Sequence, residues 1–312
     1  MTQSQQPSRL ERLLAAGGFA VTAEVIPPLS ADPEALLTKA RPLKGLADAV
    51  NLTDAAGARA ALSSFAGAAL LVQEGIEPVL QTTCRDRNRI ALAGDLIGAA
   101  AQGVRNILVL HGDLPESGDQ PEATGVYDFD SRGVMGLARA MRDEGVLPSG
   151  RAIATPPRLF IGAADTPFDP PAEWQPTGLE SKIAAGADFA QTQFCFDPAI
   201  ARRYFARLAD AGIPERLKII AGIGPIASAR SARWMNDNLH GVTVPEALIT
   251  RLEQAADPAA EGRRICVELI QELAEIPGIS GVHLMAPLQG SDAIAAVIED
   301  SGILTSRQPV AV

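Results

Sequence analysis

Cysteine is scarce in this chain of 312 residues: Cys84, Cys195 and Cys266 stand far apart and form no CxxC pair. So odd and sparse a set excludes a disulfide framework and reads as reduced thiols in a cytoplasmic protein. Histidine is equally rare. His111, His240 and His283 are widely separated, no HExxH pattern occurs, and no metal site is expected. Lysine and arginine form no run and the net charge is −10, which argues against the clustered cations that track nucleic-acid phosphates. A small anionic ligand is still open to such a chain, through a few local cations and backbone N–H groups. No apolar stretch approaches the roughly 20 residues of a membrane span. The opening residues MTQSQQPSRLERLL hold no apolar signal-peptide core, so none is expected.

Apolar residues make up 47 % and charged residues 21 %, enough for a large core and against a disordered chain. Aromatics are only 4 %, so that core is built from aliphatic and small side chains, which suits tightly packed helices on a sheet. Eight short apolar runs read as strands: 19–28, 48–55, 78–84, 106–113, 158–164, 188–196, 218–225 and 280–286. Helical patterns lie between and after them, at 33–43, 59–74, 87–102, 131–144, 178–185, 198–211, 228–238, 245–275 and 291–301. Strands alternating with helices imply a parallel sheet. Eight strands of similar length without a topological break favour closure into a single-domain (β/α)8 TIM barrel over an open doubly wound sheet. The region 226–279 exceeds one crossover and is expected to hold two helices, with a turn at His240–Glu246 and Pro245 at a helix start. Residues 1–8 are expected to fray.

In such a barrel the chemistry sits at the C-terminal ends of the strands. The polar residues there are Glu24; Asn51, Thr53 and Asp54; Gln81, Thr82 and Thr83; His111 and Asp113; Asp165; Gln191, Thr192 and Gln193; and His283. Glu24 is the most informative, a carboxylate among Val21, Thr22, Ala23, Val25 and Ile26. Desolvation by such neighbours would raise its pKa and suit it to donate a proton; a structural Glu paired with a buried Lys or Arg is the plain alternative. In LHGDLP (110–115), Gly112 permits close backbone approach to a ligand beside Asp113, although an isolated Gly-Asp is usually an ordinary turn. Gln193 can offer two hydrogen bonds to a flat heterocycle or bond a neighbouring loop. Lys182 can reach a phosphate or ribose, against the commoner solvated lysine. Cys84 and Cys195 read as small core residues rather than nucleophiles. The glycines of GIGP (222–225) are weak evidence of a phosphate turn.

Taken together, AEVIPP, VNLTDAAG, TTCRDRN, ILVLHGDLP, YDFDS, KIAAGADFAQTQFCFD, AGIGP and GVHLMA resemble the methylenetetrahydrofolate reductase family. GDLP with AGADFAQTQFCFD at this separation carries most of the specificity. The resemblance implies a flavin-bearing barrel that reduces 5,10-methylenetetrahydrofolate to 5-methyltetrahydrofolate, the flavin being reduced by NADH or NADPH. It implies Glu24 as the acid that assists opening of the substrate's five-membered ring, and Asp113 as a catalytic aspartate near flavin and pterin. Gln193 joins Asp113 as a folate contact. FAD is the implied cofactor, with FMN or a weakly held flavin as alternatives, near Thr53, Gln81, His111, Gly112, Asp113, Asp130, Ala164 and Lys182.

The chain also departs from the bacterial pattern. Gln81 stands where His is frequent, His111 where Arg precedes Gly-Asp, and Ala164 where an aromatic follows strand five. Polar positions before the lysine fall around Gln175, Gly178 and Ser181; a second folate-side glutamine falls near Ser231 and a terminal arginine near Gln289. The expected partners are the folate and a nicotinamide dinucleotide, with a homo-oligomer allowed and neither nucleic acid nor membrane. A folate-binding or electron-transfer subunit of a one-carbon complex is the alternative. A barrel lyase or aldolase is disfavoured, because no Schiff-base lysine ends a strand run.

Overall fold

The protein is described by a computed structural model covering residues 6–287 and 289–304. Strands β1 (Ala20–Val25), β2 (Ala49–Leu52), β3 (Pro78–Thr83), β4 (Asn106–Leu110), β5 (Phe160–Asp165), β6 (Phe189–Phe194), β7 (Lys218–Ile223) and β8 (Ile279–Leu284) pair in parallel and in chain order. β8 returns to β1, with Thr22 opposite His283, and the barrel is closed. The expected (β/α)8 architecture is therefore present.

Strand alternation divides the core in two. Val21, Ala23 and Val25 of β1 face outward into the large cluster shared with the helices. Ala20 faces inward, in a smaller cluster with Ala49, Val79, Leu108, Phe160, Phe189 and Ile220. Gly162 makes room there, since a Cβ on it would lie 2.4 Å from Cζ of Phe189, whose ring stacks on Phe160 at 4.8 Å.

The floor of the barrel is closed by α1 (Arg9–Ala15), whose Leu10, Leu13 and Leu14 complete the inner cluster. The sequence reading missed this helix. Ser8, within the segment expected to fray, is 3 % exposed and caps α1 by accepting from Glu11 N at 2.8 Å. Glu77 adds a second anchor, accepting from the backbone N–H groups of Arg9 and Leu10 at 2.7 and 2.9 Å. Residues 1–5 lie outside the described residues.

Around the barrel run α2 (Pro33–Ala40), α3 (Ser64–Glu74), α4 (Arg89–Ala101), α5 (Ser131–Arg139), α6 (Thr177–Ala185), α7 (Pro198–Asp210), α8 (Ala229–Asn238), α9 (Glu246–Gln254), α10 (Pro258–Ala274) and α11 (Gly290–Asp300). The turn expected at 240–246 does separate α8 from α9, and Pro245 caps α9. The stretch 245–275, however, is two helices rather than one. It breaks where Asp257 accepts from Ala259 N and Ala260 N and Pro258 takes the first helical position. The same Asp-Pro device opens α2 and α7. No helix among the described residues is long and apolar enough to cross a membrane.

Replacing Leu10 with alanine removes a fully buried side chain from the floor. Urea unfolding should register a loss of about 2–5 kcal/mol; a loss under about 0.5 kcal/mol would show that α1 does not seal the barrel.

Candidate active site

Above the apolar floor the inward positions turn polar. Thr22, Asn51, Gln191 and His283 are at most 3 % exposed. Gln191 Nε2 donates to Thr22 Oγ1 at 3.0 Å and to Asn51 Oδ1 at 3.1 Å, while Asn51 Nδ2 donates to Gln191 Oε1 at 2.6 Å. Thr22 Oγ1 lies 2.9 Å from His283 Nδ1. Buried polar groups need such partners, and here they come from four different strands.

Glu24 stands one inward position above Thr22. Its Oε2 accepts from Gln81 Nε2 at 3.1 Å and lies 3.9 Å from His283 Nε2. Of the sequence neighbours expected to surround this carboxyl, Val21, Ala23 and Val25 point to the opposite face, because a strand turns successive side chains apart. Its surroundings are an amide and an imidazole instead. No lysine or arginine pairs with it among the described residues.

The loops above carry the remaining candidates. Thr53 is 4 % exposed, and its Oγ1 finds no hydrogen-bond partner among the described residues. Gly112 has φ +92°, and a Cβ there would lie 3.1 Å from the Cβ atoms of Arg85 and Thr83, so the position requires glycine. Asp113 is exposed; its Oδ2 accepts from Gly57 N at 2.7 Å, and its carbonyl accepts from Arg85 Nη1 at 3.1 Å. His111 is exposed and stacks on Tyr127 at 4.9 Å. Asp130 caps α5 through Gly133 N and pairs with Arg132.

On the other side of the mouth, Lys182 of α6 donates to the carbonyl of Ala164 at 2.5 Å, so its ammonium points back at the strand end. Asp165 accepts from Tyr204 OH at 2.9 Å. Burial pushes the Asp165 carboxyl above its ordinary range, with Lys182 and Tyr204 pulling the other way. Gln193 lies where the β6–β7 register slips, and its Oε1 accepts from Phe194 N at 3.0 Å, a local bond. Burial raises the Cys84 thiol to about 11 and the Cys195 thiol to about 12, as inert core thiols require.

Asp54, also read from the strand end, is structural. Arg87 grips it with two bonds at 2.7 and 3.0 Å, and Thr83 N, Thr83 Oγ1 and Ser64 Oγ also donate to it. Burial alone would raise its pKa, but Arg87 and Thr83 outweigh that and hold it below the ordinary carboxylate value. Sequence reasoning missed Thr22, Arg85 and Arg87. Period-two alternation back from Glu24 would have found Thr22; nothing local marks the two arginines of TTCRDRN as buried supports. A groove of about 430 Å³ lined by Pro33, Leu62, Phe65 and Leu70 lies on the flank of the barrel, away from all these groups.

The sequence profile of the methylenetetrahydrofolate reductase family matches residues 9–302. The chain is 29 % identical over 271 residues to methylenetetrahydrofolate reductase 2 of Schizosaccharomyces pombe, covering 81 % of this chain and 40 % of that protein. It is 27 % identical over 208 residues to the 5,10-methylenetetrahydrofolate reductase of Salmonella typhimurium, covering 67 % and 64 %. The chain thus spans less than two thirds of the length of these relatives. Among solved structures, a Clostridium thermocellum protein that binds two copies of 5-methyl-5,6,7,8-tetrahydrofolic acid superposes with a TM-score of 0.63 at 14 % identity, covering 94 % of this chain and 98 % of that one. The EDTA monooxygenase of Chelativorans sp. BNC1 gives 0.55 at 12 %, covering 92 % and 93 %. At these identities the two structures speak for the fold alone.

The Asp54–Arg87 pair should set part of the acid stability. Its contribution is full at neutral pH and is lost as pH falls through the depressed folded-state value. Asp54→Asn should cost about 3 kcal/mol at pH 7 by denaturant unfolding, and the gap from the parent should narrow at low pH. A gap independent of pH would remove the charge from the explanation.

Proposed function

The chain belongs to the methylenetetrahydrofolate reductase family, and we propose that it carries out flavin-mediated hydride transfer from NADH or NADPH to 5,10-methylenetetrahydrofolate, giving 5-methyltetrahydrofolate. The observation that supports this best is Glu24, a carboxyl on the inner wall held by Gln81 at the level where the barrel opens. The binding of a methylated folate by the Clostridium thermocellum protein of like fold agrees with a folate substrate.

The residues at the mouth fit a flavin. Thr53 Oγ1 is a buried hydroxyl lacking a protein partner, as expected of a group reserved for a polar ring edge. Gly112 and its positive φ bring backbone close to the same region, beside Asp113. Thr53, Gln81, His111, Gly112, Asp113, Asp130, Ala164 and Lys182 are the proposed surroundings of FAD. Lys182 would have to release the Ala164 carbonyl to meet a phosphate. A bound flavin supplies hydride to the folate after receiving it from NAD(P)H.

The protein supplies a proton and alignment. In the proposed reaction a C–N bond of the substrate's five-membered ring breaks, and its electron pair stays with the departing nitrogen. Glu24 gives its carboxyl proton to that nitrogen, leaving an iminium carbon as hydride acceptor. Gln81 orients the carboxyl through Oε2. Asp113 and Gln193 hold the pterin from the loop and from the β6 bulge. Asp113 would also place negative charge beside a bound flavin and so lower the flavin's tendency to accept electrons.

Purified protein should show flavin absorption that bleaches with NAD(P)H and returns with methylenetetrahydrofolate. A colourless preparation that binds folate without turnover would instead establish a folate-binding subunit. Glu24→Gln should keep the bleaching step while folate reduction falls by about 10²–10⁴; an equal loss in both half-reactions would remove Glu24 from the acid role. Asp113→Asn should raise the flavin midpoint potential and slow folate turnover, and an unchanged midpoint would place Asp113 elsewhere.

A further inference from the structure

The middle of the barrel holds a side-chain circuit that the reaction above leaves without a task. Asn51 and Gln191 exchange a reciprocal pair of amide bonds, at 2.6 and 3.1 Å. The second hydrogen of Gln191 Nε2 goes to Thr22 Oγ1 at 3.0 Å. Thr22 Oγ1, which can donate as well as accept, lies 2.9 Å from His283 Nδ1, and the donor-only Gln191 Nε2 lies 3.4 Å from the same ring atom, so both neighbours of Nδ1 suit it as an acceptor. A ring nitrogen that accepts a hydrogen bond carries no proton, so the proton of a neutral imidazole resides on Nε2. Nε2 lies 3.9 Å from Glu24 Oε2, the oxygen that already accepts from Gln81 Nε2 at 3.1 Å.

We propose that this circuit makes His283 a positioning residue for Glu24: a neutral imidazole with Nε2–H facing Oε2, which keeps the carboxyl proton on Oε1. Two N–H groups facing Oε2 oppose a hydroxyl hydrogen on that atom. Oε1 is then the oxygen that delivers the proton to the folate. At 3.9 Å the imidazole is beyond hydrogen-bond length, and a shift of about 1 Å brings it within reach. Among the described residues, Glu24 is the ionisable side chain paired with the ring; Thr22 and Gln191, which meet its Nδ1, are neutral. The placement of the proton rests on Glu24 as the acid, whereas the tautomer of His283 is a property of the protein alone.

The chain has three histidines, so ring ¹⁵N spectra of histidine-labelled protein identify His283 once His111 and His240 are each replaced by glutamine. His283 should appear as the Nε2–H tautomer at neutral pH. Thr22→Val keeps the side-chain shape, removes the hydroxyl, and should turn that signal into a tautomer mixture. An Nδ1–H His283, or a spectrum unmoved by Thr22→Val, overturns the proposal while leaving the acid role of Glu24 intact. In turnover, His283→Gln keeps an N–H donor and His283→Phe does not. The phenylalanine variant should have a kcat lower by about tenfold or more than the glutamine variant at similar KM. The alkaline limb of its pH profile should move upward, since a donor favouring the carboxylate is gone. Equal kcat values and coincident pH profiles for the two variants overturn the proposal as well.

Discussion

Eight columns of inward-facing side chains share one narrow interior, and a polar side chain placed there is costly unless another column supplies its partner. That constraint orders the whole molecule. At the floor it is met mostly by apolar side chains, with Val79, Leu108, Phe160, Phe189 and Ile220 packed under the leucines of α1 and Asn106 tied through Nδ2 to Glu77 and the Pro78 carbonyl. In the middle it is met by reciprocity, where an amide pair, a hydroxyl and an imidazole from four strands satisfy one another. At the mouth Thr53 Oγ1 is left over, and that is where a ligand can supply what the protein does not.

The loops obey a second rule, separating groups that build the rim from groups that face the ligand. Asp54 is gripped by Arg87, which also pairs with Asp95, and Arg85 spends its guanidinium on Asp86 and on the carbonyls of Asp113 and Ala55. These ion pairs hold the β2, β3 and β4 loops together. Glu24, by contrast, is met by Gln81 and a more distant imidazole, and it keeps an oxygen available for chemistry. Like residue types at neighbouring strand ends thus have opposite fates, set by whether a cation reaches them.

Most of the barrel was legible in the sequence because its strands are short apolar runs between helical patterns, and all eight were found. The helix break at Asp257-Pro258 was legible too, yet passed over, although the same pair opens α2 and α7. The floor helix was not legible: RLERLLA is short, and its three leucines acquire meaning only against a barrel interior drawn from seven strands. At the site, Glu24, Gln81 and His283 lie on the rim as read from the strand ends. What the chain order hides is who faces whom. Glu24 sits among valines in sequence and beside an amide in space. Asn51 meets Gln191 across the interior, 140 positions later. Gln193 reads as bonding a heterocycle or a neighbouring loop, and at the bulge of β6 its oxygen instead accepts from the next residue.

The floor of the barrel also bears on how the chain is made. α1 leaves the ribosome before any strand of the barrel, yet its docking surface includes Phe160, Phe189 and Ile220. Until those strands have been synthesised and gathered, the leucines of α1 have no complete seat. A helix made before the barrel it seals is thus among the last elements to find its place, and its apolar side lacks its final neighbours while the strands are being made.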